Sequence, residues 1–149
     1  MPTGTTLDPI RHSFLAPAFE RATVVDAMRM GVVRCTPDSS LREVARIMAT
    51  YRIHSVVVSE MEGSRPAAVV SDTDLAAAAN ADIDRLTAGQ VATTEVVTVE
   101  PGATMALAAQ LMAERRVSHL VVVQPDTGHP VGVLSALDLA GVLAWGGTE

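Results

Sequence analysis

Gly132-Val133-Leu134-Ser135-Ala136-Leu137-Asp138-Leu139, set beside Ala68-Val69-Val70-Ser71-Asp72-Thr73-Asp74-Leu75 sixty-four residues earlier, decides how this chain folds. In each stretch a β-branched run stops at a serine, and an aspartate follows three residues on. Extending the comparison at the same offset, Val32 to Ala76 over Val96 to Ala140, gives 15 identities in 45 positions without a gap. Pro37/Pro101, Met48/Met112, Arg52/Arg116, Pro66/Pro130, Ser71/Ser135 and Asp74/Asp138 stay in register. Two Ala/Val-rich stretches alike only by composition would not hold polar residues in step, so the chain is read as a duplication.

Each copy predicts the same elements. A short strand (Val32 to Cys35; Val96 to Val99) meets a proline turn, and a helix then opens on Ser40 or on Thr104, both good caps. Ser40-Leu41-Arg42-Glu43 has the form of a capping box, and Leu41, Val44, Ala45 and Met48 fall on one face, as do Met105, Ala108, Ala109 and Met112. These methionine stripes read as core. Two β-branched runs follow, Ser55 to Ser59 with Ala67 to Ser71, and Leu120 to Val123 with Val131 to Ser135. The Gly- and Pro-bearing connections between them predict hairpins. A last helix closes each copy, Thr73 to Ala79 and Ala136 to Ala144. The expected fold is α/β (α+β): two β-α-β-β-α units over 23–79 and 88–145, a front segment 1–22 and a small polar linker 80–87. One sheet alone would leave an apolar face bare, so the halves are expected to pack sheet to sheet about a pseudo-twofold axis.

Composition bounds the function. With 149 residues, 48% hydrophobic and 19% charged, the chain has an ordinary globular make-up, and an aromatic share of 3% leaves the core to Ala, Val, Leu and Met. A net charge of −6 offers no basic stripe for general nucleic-acid binding. The single cysteine, Cys35, can form no internal disulfide, and neither a signal sequence nor a membrane-length apolar run is present, so a cytoplasmic protein without membrane association is expected. No nucleophile-base pair, Cys/His cluster or phosphate-binding glycine loop is found, so no enzymatic activity is expected; His12 and Asp8 stand at no motif spacing, and His129 falls in a solvated turn.

Gly132-Val133-Leu134-Ser135-Ala136-Leu137-Asp138-Leu139, with Val25-Asp26-Ala27-Met28, Met48-Ala49-Thr50-Tyr51-Arg52-Ile53-His54 and Arg116-Val117-Ser118-His119-Leu120, resembles the cystathionine-β-synthase (CBS) domain family, over about Thr23 to Ala144. The resemblance implies a tandem pair that dimerises with a second copy and binds an adenosine-containing ligand (AMP, ADP, ATP or S-adenosylmethionine) between its units, with no cofactor required. Such units regulate an attached or separate protein partner; no further domain is expected in this chain. The alternative is a dimerisation scaffold whose ligand sites are vestigial.

The residues argue for the same cleft. Gly132 would admit a ligand close to the backbone, Ser135 stands where free N–H groups at a helix start can meet a phosphate, and Asp138 can accept bonds from both ribose hydroxyls. Ser135 and Asp138 are equally suited to capping; their repetition as Ser71 and Asp74 favours ligand contact on the ground that a cap needs only one of them. Ala68, in place of Gly132, and Asp72, beside Ser71, put the first site in doubt. Thr98 would edge an adenine ring through its backbone, with Arg34 at the same place in copy one. By the resemblance, His54 and His119 are candidates for the phosphates; Arg52 and Arg116 would reach the same phosphate or face solvent. Phe14, Leu15 and Phe19, with Trp145 at the other end, would lean on the module or on its dimer mate.

Overall fold

The computed structural model describes residues 18–146. In chain order it runs α1 (Val24–Ala27), β1 (Arg29–Met30), β2 (Arg34–Cys35), α2 (Leu41–Tyr51), β3 (Ser55–Val58), β4 (Ala68–Ser71), α3 (Asp72–Ala78), α4 (Ala88–Val91), β5 (Thr98–Val99), α5 (Met105–Arg115), β6 (His119–Val123), β7 (Pro130–Ser135) and α6 (Ala136–Trp145). The expected hairpins are present, β3 with β4 and β6 with β7, both antiparallel. The expected first strands are cut to two residues each, because β2 and β5 pair in parallel with β3 and β6 over two positions only.

The helices form where the sequence supplies caps. Ser40 accepts from the Glu43 N–H and Thr104 from the Leu107 N–H, and the faces carrying Leu41, Val44 and Met48, or Met105, Ala108 and Met112, are buried. Both helices end on an arginine in the left-handed region, Arg52 at φ 55° and Arg116 at φ 57°. The chain turns sharply there, and Ile53 and Val117 donate back to the Met48 and Met112 carbonyls.

Between the repeats a regularity appears that the elements alone do not reveal. Two four-residue helices, α1 and α4, lie sixty-four residues apart and open on matching capping boxes, Thr23 with Asp26 and Thr87 with Gln90. Each docks on the other half. Val24 and Met105 N–H groups bond the Ala103 and Ala22 carbonyls, so α1 sits on the second unit; Leu41 and Ala88 N–H groups bond the Leu86 and Ser39 carbonyls, so α4 sits on the first. The caps themselves meet in reciprocal bridges, Thr23 with Thr104 and Ser40 with Thr87. Segment 80–87 is correspondingly more than a polar linker, since Ile83 and Leu86 pack against the first core.

Two cores result, one around Leu41, Val44, Val56 and Val70, the other around Val24, Met105, Leu120 and Leu134. Alternation along β3 and β6 turns Val57 and Val121 away from both cores, yet they are 2% and 3% exposed, because the two sheets cover one another there. Phe19 packs against the second core. Phe14, Leu15, His12 and Asp8 lie outside the described residues.

Candidate functional site

Where the sheets meet, two grooves open. Ser135 and Asp138 line the first together with Arg29, Val33, Ile53, His54, Ser55 and His119, around an empty volume of about 470 Å³. Ser71 and Asp74 line the second, with Thr93, Glu95, Arg116, Ser118 and again Ser55 and His119, around about 730 Å³. Every position lining the first has its counterpart sixty-four residues away in the second: Arg29/Thr93, Gly31/Glu95, Val33/Val97, Ile53/Val117, His54/Ser118, Val133/Val69, with Ser55 and His119 exchanging places. The duplication has therefore produced one groove twice.

In both grooves the serine and aspartate form reciprocal caps. The Ser135 hydroxyl accepts from the Asp138 N–H at 3.2 Å, while Asp138 Oδ2 accepts from the Ser135 N–H at 2.8 Å and from its hydroxyl at 3.0 Å. Ser71 and Asp74 repeat this at 3.2, 2.9 and 3.0 Å. Such a box uses both residues, so the repetition of the pair does not by itself argue for ligand contact. The box does fix the carboxylate. Asp138 Oδ1 has no hydrogen bond within the described residues, whereas Thr93 Oγ1 lies 3.4 Å from both oxygens of Asp74.

Gly132 does something other than admit a ligand. A Cβ there would lie 2.5 Å from the Arg29 carbonyl oxygen and 3.1 Å from the Met28 sulfur. The missing side chain makes room for β1, which pairs antiparallel with β7, Arg29 opposite Val133 and Met30 opposite Gly132. The corresponding pairing in the first unit shrinks to a single bridge, Val69 with Thr93. Ala68, buried in the first core, carries a methyl group where Gly132 leaves room for the passing strand. It narrows no groove, and the groove it was expected to close is the larger of the two.

Thr98 and Arg34 also fall elsewhere. Thr98 is exposed on β5 and lines a separate hollow with Arg65 and Leu107. Arg34 donates to the Ser59 hydroxyl at 2.9 Å and its carbonyl at 2.8 Å, which ties β2 to the end of β3. Of the two aligned arginines, Arg116 lines the second groove, while Arg52 lines neither.

The histidines come together although they belong to different halves. Their ring centroids lie 6.3 Å apart with planes tilted by 33°. His54 is exposed and its Nδ1 lies 3.0 Å from Asp72 Oδ2, so Asp72 is engaged with a histidine of the first groove. His119 is more enclosed, with Nδ1 at 3.1 Å from the Ser118 hydroxyl. Burial holds its pKa below the ordinary histidine value; Asp72 and Asp138 oppose that shift and His54 adds to it. Arg29, Ser55, Thr93, Glu95 and Ser118 were not anticipated. Of these, Glu95 is paired with Arg115 at 3.0 Å.

A duplicated unit with a cap-bearing strand-helix corner, exchanged lead-in helices and paired grooves between the sheets is matched by a family model, CBS domain, at residues 24–81 and again at 88–144. The chain belongs to the CBS domain family. Among its relatives, a homoserine O-acetyltransferase of Methanocorpusculum labreanum is 31% identical over 134 residues, 90% of this chain and 26% of that protein, so the chain spans about a quarter of that relative. CBS domain-containing protein YhcV of Bacillus subtilis is 26% identical over 119 residues, covering 80% of this chain and 84% of that protein. Among solved structures, the CBS domain protein PAE2072 from Pyrobaculum aerophilum, complexed with AMP, is 29% identical with a TM-score of 0.72, covering 82% of this chain and 98% of that one. The CBS domain pair of protein MJ0100, in complex with 5′-methylthioadenosine and S-adenosyl-L-methionine, superimposes with a TM-score of 0.75 at 20% identity, covering 83% and 96%, and bears on the fold alone.

Proposed function

We propose that this CBS pair is a cytoplasmic regulatory module that binds an adenosine-containing ligand in the grooves between its halves and transmits occupancy through its dimer geometry or its fit to a protein partner. The observation that carries this reading is the carboxylate of Asp138, oriented by its capping box with one oxygen left over, facing a groove that Arg29, His54 and His119 also line. The leftover oxygen suits a ribose hydroxyl, and the Arg29 guanidinium together with the imidazole N–H groups suits phosphate. The relative that carries AMP at 29% identity supports the choice of ligand class. For dimerisation, the support is apolar surface on α1 and α6, where Val25 and Leu137 are 49% and 73% exposed.

Regulation requires only that the ligand prefer one arrangement of the module over another. The test is thermal: melting in the presence of AMP, ADP, ATP, NAD and S-adenosylmethionine. A ligand at a hundred times its Kd adds about 2.7 kcal/mol, a rise of roughly 5–10 °C for a domain of this size. No rise across the whole panel would leave the scaffold with vestigial sites as the correct reading. Sizing by light scattering reads the dimer separately.

A further inference from the structure

The two grooves are not separate cavities. Ser55, His119 and Val133 line both, so one thin wall divides them. The duplication places Ser55 and His119 at equivalent positions, each opposite a capping serine, Ser71 and Ser135. One side of the wall is therefore a hydroxymethyl group and the other an imidazole. Ser55 is buried within β3, and Val133 is held by register between Arg29 and Val121. His119 is the large member, half-buried, with its Nδ1 3.1 Å from the adjacent Ser118 hydroxyl and its ring facing that of His54 across the cleft.

We propose that His119 couples the two grooves, so that a ligand in one displaces the ring toward the other and the two binding events are negatively cooperative. This rests on the adenosine reading given above. The volumes give the sign. The groove of Ser135 and Asp138 is the tighter of the two, about 470 Å³ of open space against about 730 Å³ beside Ser71 and Asp74, so a ligand there presses harder on the shared ring and drives it toward the roomier neighbour. Close-packed walls respond by switching between discrete side-chain positions, so one rotamer change is enough to carry such coupling. Desolvation of His119, set against Asp72, Asp138 and His54 around it, favours the uncharged ring, which moves between the grooves without carrying a charge.

The experiment is calorimetric titration of the full chain with AMP, in the wild type and in Asp74→Asn and Asp138→Asn, each with and without His119→Ser. Asparagine keeps one oxygen for the cap and replaces the other with a donor, which removes the ribose acceptor from one groove at a time. Affinities of the two grooves measured singly should together exceed what the doubly occupied wild type reaches, by about fivefold or more. With His119→Ser that excess should vanish. A direct contact between His119 and AMP would change the single affinities but not the excess. Additive binding in the wild type, or an excess that survives His119→Ser, overturns the coupling and leaves the adenosine reading intact. AMP binding nowhere, with other adenosine ligands equally inert, overturns both.

Discussion

Gly132→Ala separates two roles for one glycine. If the position served a ligand, the substitution would weaken binding and leave the fold alone; the structure places the cost on the fold. The new Cβ would stand 2.5 Å from the Arg29 carbonyl oxygen, a backbone atom that yields only if β1 moves. Overpacking of this kind costs about 1–3 kcal/mol. Detaching β1 instead forfeits its pairing with β7 and the 2.9 Å bond from the Gly31 N–H to the Val131 carbonyl, at about 1 kcal/mol per bond. Against either stands a gain of about 0.4–1 kcal/mol, because alanine restricts the unfolded chain. The net is about 1–2 kcal/mol, which lowers Tm by roughly 2–8 °C. Circular-dichroism melting and urea titration measure it, and Ala68→Gly, which deletes a buried methyl with no strand passing over it, provides the mirror experiment. An unchanged Tm for Gly132→Ala together with a loss of AMP affinity would refute the reasoning and restore the ligand role.

Four further outcomes are expected. Ser135→Ala and Ser71→Ala each remove one half of a capping box and should cost about 1 kcal/mol in urea unfolding, whether or not ligand is present. Arg52→Gly relieves a left-handed non-glycine residue at φ 55° and should stabilise by about 1 kcal/mol; a destabilisation would show that the arginine side chain does more than the helix stop requires. Arg34→Ala should destabilise by about 1–2 kcal/mol through the lost bonds to Ser59, with ligand affinity unaltered. His119, whose pKa is lowered in the fold, binds fewer protons folded than unfolded, so its contribution is intact above the ordinary histidine pKa of about 6.5 and is lost as pH falls through the folded value. Stability measured from pH 7.5 down to 5 should therefore decline more in the wild type than in His119→Ser, and equal declines would contradict the desolvated ring.

The repeat, the α2 and α5 helices and both hairpins were legible because each is announced locally, by a cap, a period of three to four, or β-branched runs around a turn. Ser71, Asp74, Ser135, Asp138, His54 and His119 do line the grooves, and they too are signalled within a few residues. What escaped depends on contacts remote in sequence. Nothing near Gly132 reveals that β1, a hundred residues earlier, will lie across it. Thr98 was placed by strand position without knowing which edge of β5 faces outward. The lead-in helices are four residues long, too short for a periodic signal, yet Thr23 with Asp26 and Thr87 with Gln90 stood in the sequence at the common offset and would have disclosed them.

The crossing of the lead-in helices has a consequence for dissection. Residues 24–81 and 88–144 look like two detachable modules, but a fragment cut at that seam would take with it the clasp belonging to its neighbour and leave its own behind. Expressed singly, each half would show a bare patch where α1 or α4 should lie, and would recover it only by borrowing from another molecule. The duplication has become interlocked, so that neither copy carries its own clasp.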